Sequence, residues 1–277
     1  FVEPPFSWYT KKEKFNIEQW NQKTTWIKNQ ISEMNCDIIG FQEVFSKKAL
    51  KTLLDELGFK YFKTIDSPRI DKKNELVYTS TIVALASKYP IKNLKKVEID
   101  FSALKKHHLN GFFKFAREPI KATITLANQK ELDIYVCHLK SNRDNEFEYV
   151  FTKDATLNEK KEKVKKALEE NYSISLKQRL CEASSIFSDI SRTKNPAILM
   201  TDLNDKEFSI TIEALSNKKY HNENLIKDDY LMLDAYYHFD KKIYNPHPEQ
   251  KEIKRTPTSY FAGKGNKSGL VLDLRFI

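Results

Sequence analysis

The segment Ala197-Ile198-Leu199-Met200-Thr201-Asp202-Leu203-Asn204-Asp205 runs from apolar residues into an Asp-x-Asn pair. Four apolar residues after Pro196 read as a short, fully buried strand. Side chains alternate along a strand, so Asp202 and Asn204 are expected on one side of it. A carboxylate and an amide there are badly placed for stability. They are well placed to hold a water, a metal-bound oxygen or a phosphate. The competing reading is an Asx turn, which Asp and Asn often make.

Two further strands end in polar groups. Asp37–Val44 delivers Glu43, and Leu132–Ser141 delivers His138, followed by Lys140 and Ser141. A lone Glu at a strand end is usually solvated, and a lone His is usually a satisfied structural residue. Three strands ending in a carboxylate, an imidazole and an Asp-x-Asn pair suit phosphate-ester hydrolysis assisted by a hard cation. Glu43 is the expected ligand of Mg2+, with Mn2+ or Ca2+ as alternatives, because hard cations take oxygen donors. Gln42 is expected to face the other side of its strand. His138, with an ordinary imidazole pKa of about 6.5, can donate a proton to the leaving oxygen or hydrogen-bond the phosphate. Arg117 can grip a phosphate bidentately, or else pair with Glu118 or another acid.

The ordered set Gln42-Glu43, His138-Leu139-Lys140-Ser141 and Asp202-Leu203-Asn204 resembles the endonuclease/exonuclease/phosphatase (deoxyribonuclease I-like) superfamily. Arg117-Glu118-Pro119, Thr256-Pro257-Thr258 and Val271-Leu272-Asp273 extend the resemblance over nearly the whole chain. It implies a four-layer α/β/β/α sandwich of two mostly antiparallel sheets with outer helices. It implies a metal-dependent phosphoesterase, foremost a nuclease with nucleic acid as substrate. A phosphatase or a sphingomyelinase-type phosphodiesterase on the same scaffold is the enzymatic alternative. A non-catalytic nucleic-acid or phosphate-binding module is the alternative of another class. By resemblance, Asp202 orients or deprotonates the attacking water, Asn204 donates to the phosphoryl oxygen, and Asp273 orients a terminal His. Glu43, His138, Asp202, Asn204 and Asp273 are then expected to converge at one mouth.

The chain departs from the family pattern in three places. Thr201 stands where the family has Gly, no opening strand bears an Asn, and no Ser-Asp-His segment follows Asp273. The expectation is a single domain, residues 1–277, truncated at both ends, without the first strand or the terminal Asp-His strand.

Particular elements must position these groups. Ile17, Trp20, Thr24, Ile27, Ile31 and Met34 recur at helical spacing, which predicts a helix over residues 16–35. Ser46 is expected to cap a second helix, with Leu50, Leu53, Leu54 and Leu57 inward and Gly58 closing it. Thr81–Ser87, Gly111–Phe115, Ile120–Leu126 and Leu132–His138 read as strands. Leu176–Ile190 reads as a helix with Leu176, Leu180, Ala183, Ile186, Phe187 and Ile190 apolar. Residues 145–175 read as a charged insertion, and Tyr244–Pro257 as an irregular surface loop. His107 and His108 are placed in a Lys-rich loop, pointing apart.

Composition narrows the field further. The formal charge of +9 favours an anionic partner. Of 47 basic residues only seven are Arg, and such a Lys excess often reflects genome bias, so the charge is mild support. No apolar run approaches the roughly 20 residues needed to span a bilayer, so stable membrane insertion is not expected. Cys36, Cys137 and Cys181 form neither a metal-ligand spacing nor a disulfide framework. There is no phosphate loop, dinucleotide fingerprint or serine-nucleophile elbow. A membrane-acting phosphodiesterase would display aromatic residues on an exposed loop; no such loop stands out, although Phe112-Phe113 and Tyr236-Tyr237 keep that reading open.

Overall fold

The computed structural model describes residues 1–9, 15–109, 111, 113–141, 156, 158–159, 162, 165–166, 174–205 and 209–236, with the backbone of 237–238, 259–260, 269–270 and 273–276. Thr256-Pro257-Thr258, Val271-Leu272, the Tyr244–Pro257 loop, Phe112, the Tyr237 side chain and most of residues 145–175 lie outside these. The chain divides into two compact units, and each is described by itself.

The first unit comprises residues 1–97, 117–138 and 195–197. It opens with strand β1 (Ser7–Trp8) and helix α1 (Ile17–Met34). Asn16 caps α1 through a reciprocal box with Gln19: the Asn16 side chain accepts from the Gln19 N–H, and the Gln19 side chain accepts from the Asn16 N–H. Strand β2 (Ile38–Val44) and helix α2 (Lys47–Glu56) follow. Gly58, at φ 83°, ends α2 in a Schellman turn: its N–H donates to Asp55 and the Phe59 N–H to Leu54.

Next come β3 (Tyr61–Lys63), β4 (Ile70–Asp71), β5 (Asn74–Tyr78), β6 (Ile82–Ser87) and β7 (Ile91–Lys96), then β8 (Ile120–Thr125) and β9 (Glu131–His138). One sheet has the order β2-β6-β3. β7, β8 and β9 are joined by antiparallel pairing, β7 to β8 and β8 to β9. A smaller sheet, β1-β5-β4, pairs β1 with β5 in parallel. Strand β6 is buried along its whole length because it is covered on both faces. Ile82, Ala84 and Ala86 meet Ile31 of α1 and Leu50, Leu53 and Leu54 of α2. The alternation turns Val83 and Leu85 the other way, toward β8 and β9, which pack on β6. Small Ala84 and Ala86 let the two helices sit close to the sheet.

The second unit comprises residues 98–116, 139–194 and 198–277. It contains α3 (Phe101–Lys106), a long helix Ile174–Ile190, most of β10 (Ala197–Asp202) and helices Ile210–Ser216 and Lys218–His221. Two-residue strands β11 (Ser259–Tyr260) and β12 (Gly269–Leu270) pair antiparallel. β13 (Asp273–Phe276) pairs antiparallel with β10. The Ile174–Ile190 helix packs against α3 and Ile210–Ser216 and is buried on nearly every side.

Four local expectations need correction. The described residues of Gly111–Phe115 form no strand, and a helix holds the backbone at Lys114 and at the following Ala116. The Lys114 carbonyl accepts from Gln178 Nε2, and the Ala116 N–H donates to Glu182. Ser46 occupies the N-cap position of α2 without capping it, because its Oγ accepts from the Glu3 N–H. Strand β10 is half-buried, with Leu199 and Thr201 inward and their neighbours partly exposed. His107 is a helix C-cap residue, buried against the Tyr220 hydroxyl at 2.9 Å, while His108 is exposed.

Candidate active site

In the first unit, Glu43 sits at a β-bulge. Phe41 pairs with Ala84 and Val44 with Ile82, so β2 has one residue more than its partner between these pairs. Glu43 absorbs the excess at φ 52°, in the left-handed region, and its side chain is exposed. Bulges re-aim a side chain, so strict alternation does not govern Gln42 and Glu43 as the sequence implied. Burial pulls the Lys23 ammonium below its ordinary pKa, and the Glu43 carboxylate opposes that shift.

His138 closes β9 and is almost wholly buried. Burial, and then the positive charge of Arg117, push its pKa down to about 3. The imidazole is therefore neutral at physiological pH. Arg117 is half-buried in a bend before β8. Its neighbour Glu118 pairs with Lys96 at 3.2 Å.

In the second unit, β10 ends at Asp202 and turns. Asp202 Oδ1 accepts the Asn204 N–H at 2.8 Å, which is an Asx turn. Asn204 lies at φ 50°, so it leaves the strand alternation, and buried Leu203 anchors the turn. The Asx-turn reading of the Asp-x-Asn pair holds, and the turn fixes the backbone from which the two polar side chains project. Asn204 Nδ2 donates to the Leu139 carbonyl at 3.0 Å, and the Leu139 N–H donates to the Asp202 carbonyl at 3.0 Å. Asp202 and Asn204 are therefore tied to the N–H and the C=O of Leu139, the residue after His138. Asp273 is the register partner of Asp202 on β13.

The second unit brings together Asp202, Asn204 and the backbone of Asp273. The first unit holds Glu43, Arg117 and His138, with Arg117 acting electrostatically on His138.

The sequence reading missed three charged residues. Arg179 and Glu182 come from the buried Ile174–Ile190 helix, and Asp205 follows Asn204. Glu182 accepts the Ala116 and Lys140 N–H groups, each at 2.7 Å. Arg179 Nη1 donates to the Lys140 carbonyl at 3.3 Å, and its Nε is 3.6 Å from Asp205 Oδ2. Thr211 Oγ1 donates to the same Asp205 oxygen at 2.5 Å. The available signal was position: Arg179 lies three residues from Leu176 and four from Ala183, inside the apolar stripe.

Among the described residues no group of three or more His, Cys, Asp or Glu side chains forms a metal cage. An exposed single carboxylate is nonetheless a donor that suits Mg2+, which keeps several waters and takes one or two carboxylates plus substrate phosphates. It does not suit Zn2+, which wants a closed set of nitrogen and sulfur ligands. Phe113 and Tyr236, offered above as membrane-facing aromatics, are half-buried, and Phe113 packs edge-on against Phe115. No helix among the described residues is long and apolar enough to cross a membrane.

No protein-family model and no curated protein sequence matches the chain. Solved structures do. The human Nocturnin catalytic domain with bound sulfate aligns at TM-score 0.50 and 16% identity, over 93% of this chain and 74% of that one. A D. rerio TDP2 humanized by 14 mutations aligns at TM-score 0.52 and 11% identity, over 94% and 78%. Truncated Caenorhabditis elegans TDP2 aligns at TM-score 0.50 and 12% identity, over 94% and 78%. At such identities the likeness is one of fold, the DNase I-like α/β sandwich.

Proposed function

We propose that the chain is a divalent-metal-dependent phosphodiesterase acting on nucleic acid. The observation that carries this reading is the Asx turn of Asp202 and Asn204, cross-tied to the peptide after His138, on a DNase I-like scaffold. Asp202 serves as the acceptor that orients the attacking water and takes its proton. Asn204 Nδ2 carries a second N–H beyond the one given to Leu139, and an amide donor of this kind stabilises negative charge developing on a phosphoryl oxygen. Neutral His138 donates a ring N–H to the phosphate. Arg117 adds a guanidinium whose fork matches phosphate geometry. Glu43 is the carboxylate that would hold Mg2+, which when bound neutralises charge on the phosphoryl oxygens. Nucleic acid is favoured over other phosphodiesters by Arg117-Glu118-Pro119, which resembles the nuclease branch, and by the +9 charge.

The full chain should cleave DNA or RNA oligonucleotides with Mg2+ or Mn2+, and cleavage should stop on addition of EDTA. Hydrolysis of inositol phosphates or sphingomyelin with no action on DNA or RNA would remove the nucleic-acid assignment and keep the phosphoesterase. No hydrolysis of any of these, with no divalent-metal binding, would favour the binding module.

A further inference from the structure

We infer that Arg179 is a positioning residue, whose guanidinium locks the loop after β9 and the turn after β10 into one register and so sets the presentation of Asp202 and Asn204. The inference rests on the phosphodiesterase reading.

Five observations carry it. Arg179 is fully buried, and its guanidinium meets two chain segments beside Asp202 and Asn204, through the Lys140 carbonyl and the Asp205 carboxylate. Lys140 is one residue from Leu139, the peptide that both gives to Asp202 and receives from Asn204. Asp205 is one residue from Asn204, whose left-handed backbone needs tertiary support. Asp205 is fixed a second time by the Thr211 hydroxyl. One helix turn along, Glu182 holds the Lys140 N–H, so the Lys140 peptide is gripped at both its N–H and its C=O. A single guanidinium reaches two loops because its donors fork in a plane; an ammonium on a lysine stem is a point charge. Displacement by about 1 Å at such a site can cost on the order of a hundredfold in rate.

The test uses the full chain, 15N-labelled, in Mg2+ with an oligonucleotide substrate. It compares Arg179→Lys and Asp205→Asn with wild type by kcat, KM and amide hydrogen exchange at Asn204 and Leu139. Both variants should lower kcat roughly 10- to 100-fold while KM moves less than about threefold. In both, exchange at Asn204 and Leu139 should quicken by about tenfold or more, with exchange in β6 unchanged. Arg179→Lys, although charge-conserving, should not rescue. If Arg179→Lys fails to fold, Asp205→Asn alone decides, since the Asp205 side chain is 15% exposed and tolerates replacement better. A folded Asp205→Asn protein with wild-type kcat and wild-type exchange overturns the inference. A wild-type protein that cleaves no phosphodiester overturns the function instead, and the exchange rates then decide the positioning claim by themselves.

Discussion

Glu43 and Asn204 share a left-handed backbone, at φ 52° and 50°. For Asn this is a tolerated state; for Glu it costs about 1 kcal/mol. At Glu43, the carboxylate proposed to hold Mg2+, such strain is stability given up for placement. Glu43→Gly should therefore raise the stability of the chain by about 0.5–1 kcal/mol, read from urea denaturation, while abolishing metal-dependent cleavage. A Gly variant less stable than wild type would mean that Glu43 is unstrained or makes contacts that matter more. The types and order of Glu43, His138, Asp202 and Asn204 were legible in the sequence because each closes an apolar run. Their backbone states were not, because φ at Glu43 follows from a two-against-one register with β6 that only pairing reveals. The low pKa of His138 was illegible for a similar reason: it depends on burial and on Arg117, 21 positions away in sequence.

At the level of elements, apolar spacing carried most of the information. Helix α1, helix α2, β6, β8, β9 and the Ile174–Ile190 helix stand within a residue or two of their expected limits. The stop at Gly58 was readable because only glycine enters that conformation freely. Gly111–Phe115 failed because its aromatic, apolar character fits a strand, but a helix takes its backbone at Lys114, through Gln178, and that of the next residue, Ala116, through Glu182. Ser46 failed as a cap for a tertiary reason, the competing Glu3 N–H. The Ile174–Ile190 helix was legible as an element from its apolar positions, but the burial of its charged residues was not. Arg179 and Glu182 are buried and bond to the loop after β9, with Arg179 also paired to Asp205. A charge inside an apolar stripe is the clue to look for.

Across the whole molecule, buried histidines couple stability to pH. Burial lowers His138 to about 3 and His107 to about 4, the latter helped by Lys106, Lys177, His108 and His221. In the unfolded chain each titrates at about 6.5. Below that pH the unfolded state binds protons that the native state refuses, so stability falls as pH drops toward the native pKa values. Each histidine contributes a slope of about 1.4 kcal/mol per pH unit within its window. Melting temperature should thus decline between about pH 6 and 4, and His107→Gln should make the decline shallower by one proton. An unchanged pH slope in that variant would contradict native burial of a neutral His107. Water activation by Asp202 is checked by single-turnover cleavage of a DNA oligonucleotide in Mg2+, comparing wild type with Asp202→Ala for both rate and Kd. The variant's rate should be lower by about a thousandfold with Kd within about threefold, because a water-activating group acts in the transition state. A variant that cleaves at the wild-type rate, or that loses binding in place of rate, would contradict it.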